Sequence, residues 1–477
     1  MLMNTKPNCK STPWIKDYLR PIIVLITLST YCTQTFSSNV PDITSEQLNA
    51  QYWQSKLGSN KVIDMTSEDI EKFNQQLFAT NPHLVDPLST SEVLTKAELV
   101  SKINKISSVP SSARFYADGT KLTEQDFNKY QANLNIEGIA KHNPVKFGLV
   151  SKRSALRTFP TLDRVFNKGM DLDLDRFQET AVFPGEAVSI LHRSKDGNWL
   201  LVQNYNYLAW VQQSDIAIGD KSEIANYLAE KEFLVVTGSK IQTNYLPNHA
   251  HLSEVQLDMG VKLPLVSTSE QNDELYGQST AASYQVKLPT RKPDGSLSIE
   301  TALIGRTQDV HLGYLAYTPQ NIISQGFKFL GERYGWGHDY NARDCTGFIG
   351  EIYKTFGILM PRNSGQQGKG KYGTNFRFNK GSTTISKLTV INDMQVGDLI
   401  YIPGHVMMYL GEEEGQPTVI HDVKGLAYWT PEGEFYQGTL NAVSVTPLIK
   451  LHLNKTTSYV DRIYNIKRLT VDSVEGL

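Results

Sequence analysis

The pattern of apolar and polar positions changes along the chain, and its first stretch is typical of helices. Between residues 41 and 145, apolar residues recur three or four positions apart, as at Phe73 and Leu77. This spacing places them on one face of an α-helix. Thr66-Ser67-Glu68-Asp69 and Ser45-Glu46-Gln47-Leu48 have the polar cap and acidic first turn of a helix start. We therefore expect a helical N-terminal domain over residues 41–145, which packs against the rest.

From residue 146 onward, short apolar runs alternate with turn signals. Within residues 146–219, Pro184-Gly185 and Asp196-Gly197 separate such runs. Short strands at this spacing are typical of a small β-barrel. Residues 228–318 show a similar pattern, beginning with an apolar strand at 232–237. The pattern predicts two successive barrels, over residues 146–219 and 228–318.

The last region, residues 319–470, combines the helical spacing of apolar residues with short apolar runs that are typical of strands. Helical spacing is found at residues 322–330 and again from Cys345 to Phe356, and predicted strands follow at 398–402, 406–410 and 418–423. Helices followed by antiparallel strands are typical of an α+β domain. The glycines between 365 and 370 follow no apolar strand, so we interpret them as a flexible loop and not as a phosphate site.

The first 37 residues have the order of a secretory signal peptide. Basic residues come first, a short apolar core follows at 22–28, and small or polar residues end the segment. An uncleaved signal anchor is the alternative, although the core is short for a membrane span. Cys32 raises a lipoprotein alternative, which the bulky Tyr31 before it disfavours. We expect export to the periplasm or the extracellular space, with no stable membrane span after cleavage.

Length and composition narrow the class of protein. A chain of 477 residues exceeds one ordinary core, and 40% hydrophobic with 20% charged residues fits a folded protein. The net charge of −2 gives no broad basic surface, so no nucleic-acid partner is expected. His249 and His251 have no evident third ligand, so neither a metal nor a cofactor is expected.

The cysteines single out one position. Two of the three, Cys9 and Cys32, lie near the N-terminus, so Cys345 has no disulfide partner after signal removal. Cys345 opens a helix whose apolar face includes Phe348 and Ile352 and which Gly357 ends. A thiol in the first turn of a helix faces free N–H groups and the positive end of the helix dipole, which favour the thiolate. Cys345 is therefore a candidate nucleophile.

Two histidines are placed to assist that thiol. His405 opens a predicted strand, and His421 lies on the strand that returns after the turn at 412–415. The two histidines are an even number of positions apart across the turn, so their side chains lie on the same face of the hairpin. There they are either directly opposite each other or diagonal. The sequence predicts His405 as the base and His421 as the group that orients it, as in other catalytic triads.

Five motifs in this order resemble the papain-like domain of the NlpC/P60 cysteine peptidases. They are Tyr334-Gly335-Trp336-Gly337, Asp344-Cys345-Thr346-Gly347-Phe348, Pro361-Arg362-Asn363-Ser364, Gly397-Asp398-Leu399 and Gly404-His405-Val406. Similarly, Pro184-Gly185-Glu186, Asp196-Gly197-Asn198-Trp199 and Ala209-Trp210-Val211 resemble a bacterial SH3 domain. The resemblance implies a helical prefix, two SH3-like β-barrels and a C-terminal α+β peptidase domain, as in multidomain γ-D-glutamyl-L-diamino acid peptidases.

The same resemblance implies a substrate. Such enzymes hydrolyse the bond between D-γ-glutamate and the diamino acid of peptidoglycan stem peptides, L-Ala-γ-D-Glu-diamino acid. Their first SH3 domain closes the groove and selects a free N-terminal L-Ala. Glu186 and Tyr207 would face that amine, and the groove would be lined by Tyr334, Trp336, Asp344, Thr346 and Ser364. Two departures from the family pattern are His338, where glycine is usual, and Asn363, where relatives can carry an acid.

Two other functions compete with this one. The first is a cell-wall binding protein that uses its SH3 domains and is catalytically idle. The second is an exported lytic toxin that acts on intact wall. The choice between diaminopimelate and lysine, and the oligomeric state, remain open at this point.

Overall fold

The computed structural model describes residues 40–58 and 65–470, so the predicted signal peptide at 1–37 lies outside the described residues. In this part of the chain, no helix combines the length and the apolar character that crossing a bilayer requires. The helices are α1 Ala50–Ser55, α2 Ser67–Thr80, α3 Lys96–Ile106, α4 Glu124–Asn133, α5 Lys221–Ala229, α6 Pro319–Phe327, α7 Cys345–Lys354, α8 Ser364–Lys369, α9 Thr384–Asn392 and α10 Tyr459–Arg462.

The helices of residues 41–145 divide between two cores. Trp53 and Phe73, on α1 and α2, pack into the core that also contains Phe348 of α7. Leu99, on α3, packs instead with Trp210 of the first barrel. The capping box expected at Thr66 and Asp69 is present. At Ser45, by contrast, only a short 3-10 turn forms without a side-chain cap, and the helix that follows, α1, is capped by the side chain of Asn49.

A seven-stranded antiparallel sheet forms the first barrel, in the order β11-β4-β8-β9-β10-β5-β7. Of two small two-stranded sheets, β2 with β6 joins the helical segment to this barrel, and β1 with β3 lies within the helical segment. The strands are β1 Val93–Thr95, β2 Phe115–Tyr116, β3 His142–Pro144, β4 Lys146–Val150, β5 Ser154–Arg157, β6 Val165–Phe166, β7 Gln178–Val182, β8 Ala187–Arg193, β9 Trp199–Gln203, β10 Leu208–Gln212 and β11 Ile216–Gly219.

A second β-rich unit follows α5 and is built of short antiparallel sheets: β15-β12-β20, β13-β14, β16-β17 and β18-β19. Its hydrophobic cluster includes Leu234, Leu263 and Ile304 and is shared with Phe183 of residues 146–219. The strands are β12 Phe233–Val236, β13 Lys240–Gln242, β14 Gln256–Asp258, β15 Lys262–Pro264, β16 Glu274–Leu275, β17 Gln278–Ser279, β18 Ser283–Arg291, β19 Leu297–Gly305 and β20 Val310–Leu312.

The C-terminal domain packs α7 against a six-stranded sheet of order β21-β28-β22-β23-β24-β25. On β23, side chains at even-numbered positions such as Val406 and Met408 pack in the hydrophobic core that contains α7. Those at odd-numbered positions such as Met407 pack in a second hydrophobic cluster, which contains residues of α9 and α10. The strands are β21 Thr374–Arg377, β22 Leu399–Ile402, β23 His405–Glu413, β24 Gln416–Trp429, β25 Phe435–Pro447, β26 His452–Asn454, β27 Thr457–Ser458 and β28 Asn465–Arg468.

The segment expected to be a flexible loop at 365–370 is largely helical. It forms α8, which begins with a capping box between Asn363 and Gln366. The buried side chain of Gln367 donates to the carbonyl of Pro361 at 2.8 Å. Its glycines allow close packing, since a Cβ on Gly368 would lie 2.2 Å from the hydroxyl of Tyr464.

Candidate active site

Cys345 is the first residue of α7, as the sequence predicts. Asp344 is the N-cap, and its Oδ1 accepts from the Gly347 N–H at 2.8 Å. The helix buries Phe348, Ile349 and Ile352, which hold its N-terminal end in place against the sheet. Cys345 is 7% exposed, so a small part of it reaches the surface.

The structure brings His405 and His421 together. The Nε2 of His405 and the Nδ1 of His421 share a hydrogen bond of 2.8 Å. Met408 pairs with Ile420 across β23 and β24, and continuing this register makes the two histidines diagonal neighbours. The Nε2 of His421 in turn shares a hydrogen bond of 2.9 Å with the hydroxyl of Thr446 on β25, a residue that sequence reasoning missed.

The thiol lies beside the start of β23. The backbone N–H of Val406, the residue after His405, lies near enough to the sulfur of Cys345 to act on the pKa of the thiol. Because Nε2 of His405 is bonded to His421, the nitrogen left on the imidazole for a second partner is Nδ1. A thiol at a helix start and two mutually bonded imidazoles thus lie on neighbouring elements of one domain.

The charge state at rest differs from the expected thiolate. Burial and the neighbouring carboxylate of Asp344 raise the pKa of Cys345, and they outweigh the Val406 N–H, which lowers it. Burial also lowers the pKa of His405 to about 4. The resting pair is therefore a neutral thiol and a neutral imidazole, and a neutral imidazole can accept a proton.

Asp344 and Thr346, both predicted to line the groove, are linked through Arg362. The guanidinium donates to Oδ2 of Asp344 at 2.7 Å and to the hydroxyl of Thr346, which itself donates to Oδ1 of Asp344 at 3.0 Å. Burial alone would raise the pKa of Asp344, but the charge of Arg362 holds it below its usual value. The nucleophile is thus flanked by a carboxylate that stays ionised.

The structure does not bring Glu186 to Tyr207. Glu186 instead forms an ion pair of 2.6 Å with Lys354, the last residue of α7. The hydroxyl of Tyr207 donates to Glu179 on β7, whose other oxygen accepts from Thr158. Burial raises the pKa of Glu179, and these two hydroxyls and the charge of Arg362 act in the opposite direction. The sequence signal for Glu179 was a single acid in an otherwise uncharged strand.

The three remaining residues predicted to line the groove have different surroundings. Tyr334 is buried, and after burial the nearby charges of Cys345 and Asp344 contribute most to raising its pKa. Trp336 packs under the guanidinium of Arg176, 5.0 Å from the ring centre. Ser364 begins α8, and its carbonyl accepts from the hydroxyl of Tyr464 at 3.3 Å.

Both β-rich units hold the loop that precedes the nucleophile. From the first barrel, Gln178 donates to the carbonyl of Gly337 at 2.7 Å, and Arg153 donates to that of His338 at 2.8 Å. From the second unit, Asp258 forms an ion pair of 2.9 Å with Arg343. The position of Cys345 therefore depends on contacts from outside its own domain.

Among residues 40–58 and 65–470, no group of three or more His, Cys, Asp or Glu side chains is arranged to hold a metal ion.

Comparison with known families agrees with the motifs. Residues 331–444 match the NlpC/P60 family, and residues 160–212 match an SH3 domain of the SH3b1 type. These matches confirm the resemblance that the motifs between residues 334 and 406 indicated, and they confirm one SH3 domain in the first barrel.

Similar curated proteins cover parts of the chain. A γ-D-glutamyl-L-lysine dipeptidyl-peptidase of Bacillus cereus is 26% identical over 258 residues, which are 49% of this chain and 65% of that protein. Dipeptidyl-peptidase 6 of Lysinibacillus sphaericus is 22% identical over 46% of this chain and 71% of its own length. The match to the Bacillus cereus protein thus spans slightly less than two thirds of that relative.

A solved structure covers nearly the whole fold. An NlpC/P60 endopeptidase from Photobacterium damselae subsp. piscicida is 18% identical, with a TM-score of 0.69, and the match covers 87% of this chain and 96% of that one. At this identity the match shows that the folds are alike.

Proposed function

Because the chain carries an NlpC/P60 domain preceded by an SH3 domain, we propose that it is an exported cysteine peptidase that cuts peptidoglycan stem peptides. The proposed bond is that between D-γ-glutamate and the diamino acid, in peptides with a free N-terminal L-Ala. The observation that carries the proposal is the bonded pair of His405 and His421 next to a thiol at the start of α7.

In the proposed reaction, Nδ1 of His405 takes the thiol proton as the sulfur of Cys345 attacks the γ-glutamyl carbonyl. His405 then returns this proton to the leaving amine of the diamino acid, which leaves a thioester on Cys345. A water molecule, activated by His405, hydrolyses the thioester and restores the thiol. His421 holds the imidazole through its bond to Nε2, and free N–H groups in the first turn of α7 stabilise the oxyanion.

The first barrel supports selection of a free amino terminus. Its acid Glu179 lies between Tyr207 and Thr158, and the charge of Arg362 acts on it. An ammonium group that replaced water beside Glu179 would form a charge-assisted hydrogen bond in a half-buried pocket. In this proposal Glu179, with Tyr207, receives the amine that the sequence assigned to Glu186.

Digestion of defined peptides tests the proposed function. L-Ala-γ-D-Glu-diaminopimelate, its lysine counterpart and N-acetylated forms of both are incubated with the protein, and products are identified by mass spectrometry. We expect release of the L-Ala-D-Glu dipeptide from the free peptides and little from the acetylated ones. Absence of cleavage in every peptide, with a folded protein, contradicts the proposal. Clearing of intact cell wall without cleavage of free peptides would favour a lytic toxin.

Glu179→Gln should remove the preference for a free amine. The substitution keeps the size of the side chain but loses its charge, which is worth about 1.5–3 kcal/mol in a hydrogen bond. We expect kcat/KM for the free peptide to fall roughly 10- to 100-fold, with little change for the acetylated peptide.

Glu186→Gln is the matched control for Glu179→Gln, because Glu186 is paired with Lys354, the residue at the end of α7 away from Cys345. It should leave the ratio of free to acetylated peptide cleavage unchanged. If Glu186→Gln removes the preference and Glu179→Gln does not, the assignment made from the sequence is right and ours is wrong.

The pH dependence of kcat/KM should report the neutral base. His405 must be unprotonated to accept the thiol proton, and burial lowers its pKa to about 4. Activity should therefore rise as pH increases through about 4 and stay level towards pH 7. A steady-state profile of kcat/KM from pH 3.5 to 8 measures this. An acid limb centred near pH 6.5, the ordinary value for histidine, would contradict it.

A further inference from the structure

His338 is a buried histidine that the proposed reaction does not use. It lies in the loop between Trp336 and the nucleophile, at 4% exposure, with its backbone in the left-handed region at φ +65°. Glycine adopts this conformation more easily than histidine, so the side chain needs a compensating role. The contacts of its ring indicate what that role is.

Both ring nitrogens of His338 have partners from different parts of the chain. Nδ1 lies 3.2 Å from Nη2 of Arg362 and 3.3 Å from the hydroxyl of Thr180 on β7. Nε2 lies 3.1 Å from Oε1 of Glu351, inside α7. The ring thus connects the first barrel, the nucleophile helix and the arginine that bonds Asp344.

The partners decide where the proton resides. A guanidinium donates hydrogen bonds and cannot accept them, so Nδ1 must present its lone pair to Arg362. Nε2 faces a carboxylate and therefore carries the hydrogen. Burial lowers the pKa of His338 well below its usual value, and the charge of Arg362 acts in the same direction. The charged groups that face or contact the ring are Arg153, Arg343, Asp344, Glu351 and Arg362.

We propose that His338 is a positioning residue for Cys345. As a neutral imidazole with its hydrogen on Nε2, it ties Glu351 to Arg362 and so fixes the guanidinium against Asp344 and Thr346 on either side of the nucleophile. This inference rests on the proposed peptidase function for its kinetic consequences. The tautomer and the reactivity of the thiol do not depend on that function.

The bonds of His338 lead directly to the helix start. Without an acceptor at Nδ1, Arg362 loses one of the contacts that hold it in its place, and Asp344, the N-cap of α7, loses a fixed partner. A displacement of about 1 Å at a reacting group costs roughly 100-fold in rate. The effect should be larger in kcat than in KM, because Arg362 is bonded to Asp344 and Thr346 beside Cys345, whereas it acts on Glu179 through its charge alone.

The test compares His338→Leu with His338→Gln. Leucine fills the space but makes neither bond, whereas the glutamine amide offers an oxygen to Arg362 and an N–H to Glu351. We expect kcat of His338→Leu to fall roughly 10- to 100-fold with KM changed less than about 3-fold, and His338→Gln to recover most of the rate. Alkylation of Cys345 by iodoacetamide should slow in the leucine variant and recover in the glutamine variant.

The control for disturbance of a hydrogen-bonded histidine outside the site is His192→Gln, at a half-buried residue. His192, on β8 of the first barrel, shares hydrogen bonds of 3.2 Å with the carbonyls of Leu134 and Asn135, directly after α4. Its replacement should leave kcat and alkylation unchanged. Equal losses in His192→Gln and His338→Leu would reduce His338 to a general packing role and overturn the inference.

Nitrogen NMR of protein labelled with 15N-histidine tests the tautomer directly. The His338 signals, assigned by their loss in His338→Gln, should be those of the Nε2–H form and should not titrate between pH 5.5 and 8. An Nδ1–H form, or titration in that range, overturns the inference whether or not any peptide is cleaved. If the wild-type protein cleaves no peptide, the proposed function fails, and NMR with alkylation still decides the role of His338.

Discussion

Replacing Cys345 with alanine should abolish cleavage of stem peptides while the protein stays folded. The substitution removes one sulfur atom, and with it the only nucleophile that the proposed reaction has. Because loss of a nucleophile removes the covalent pathway, we expect kcat to fall by roughly 10⁴-fold or more. The measurement is release of dipeptide from L-Ala-γ-D-Glu-diaminopimelate, with circular dichroism and a thermal melt on the same samples.

The structure explains why the fold should survive this change. Cys345 lies at the edge of a large core with Phe348 and Ile349, and it contributes a small side chain to it. A decrease in unfolding free energy of about 1 kcal/mol is expected from the lost contacts. Activity that persists in a folded Cys345→Ala variant would rule out the cysteine mechanism. A catalytically idle wall-binding protein would show no cleavage before the substitution either.

Replacing Arg343 with methionine should cause the largest loss of stability. The arginine is fully buried, and its guanidinium donates to Glu351, Glu332 and Asp258 at 2.8–2.9 Å. Methionine keeps the apolar part of the side chain but removes the cation that the three carboxylates share. Asp258 and Glu332 keep Arg153 and Lys240 as partners, whereas the buried Glu351 is left with the neutral His338. Breaking a buried ion pair in this way costs about 3–5 kcal/mol. This is a large fraction of the roughly 5–15 kcal/mol that stabilises a typical domain.

Two further variants test whether the loss of stability comes from the lost charge and from its burial. Arg343→Lys keeps the positive charge but cannot make all the contacts of the fork, so its loss should be smaller. Arg333→Met removes an arginine whose side chain is 53% exposed and paired with Asp173, so a change below about 1 kcal/mol is expected. Urea unfolding followed by tryptophan fluorescence measures all three. Equal losses of unfolding free energy in the Arg343→Met and Arg333→Met variants would show that the burial of the Arg343 ion pairs does not determine the loss of stability.

The ion pairs of Arg343 also explain how the two β-rich units help to position the candidate active site. Glu332 and Glu351 belong to the C-terminal domain, whereas Asp258 belongs to the second β-rich unit. Asp258 additionally accepts from Arg153 of the first barrel at 3.2 Å. One carboxylate thus joins three parts of the chain immediately before the nucleophile. Activity of the isolated C-terminal domain is accordingly not expected to match that of the whole protein.

Features that depend on neighbouring residues were predictable from the sequence. The start of α7 at Cys345 follows from Asp344 as N-cap and from the three- and four-residue spacing of Phe348, Ile349 and Ile352. The meeting of His405 and His421 follows from their parity about one turn, because side chains alternate along a strand. In both cases a few residues and one local geometry contain the necessary information.

Other features required the tertiary structure. The acid that meets Tyr207 is Glu179 and not Glu186, since the curvature and pairing of the first barrel decide which side chains face the groove. The helices of residues 41–145 divide between two cores because each apolar face packs on whichever surface the fold brings near it. The expected thiolate is neutral at rest because burial and Asp344 act on it together.

The local sequence therefore determined which reactive side chains are placed together, and the tertiary fold determined the burial and the charges around them. A helix cap, an apolar face and a strand period act over a few residues, so they appear in the chain itself. Burial, the charge around the thiol and the bond between Gln178 and Gly337, which are 159 positions apart, arise only when distant segments meet. Such contacts have no period along the chain, and only the folded structure reveals them.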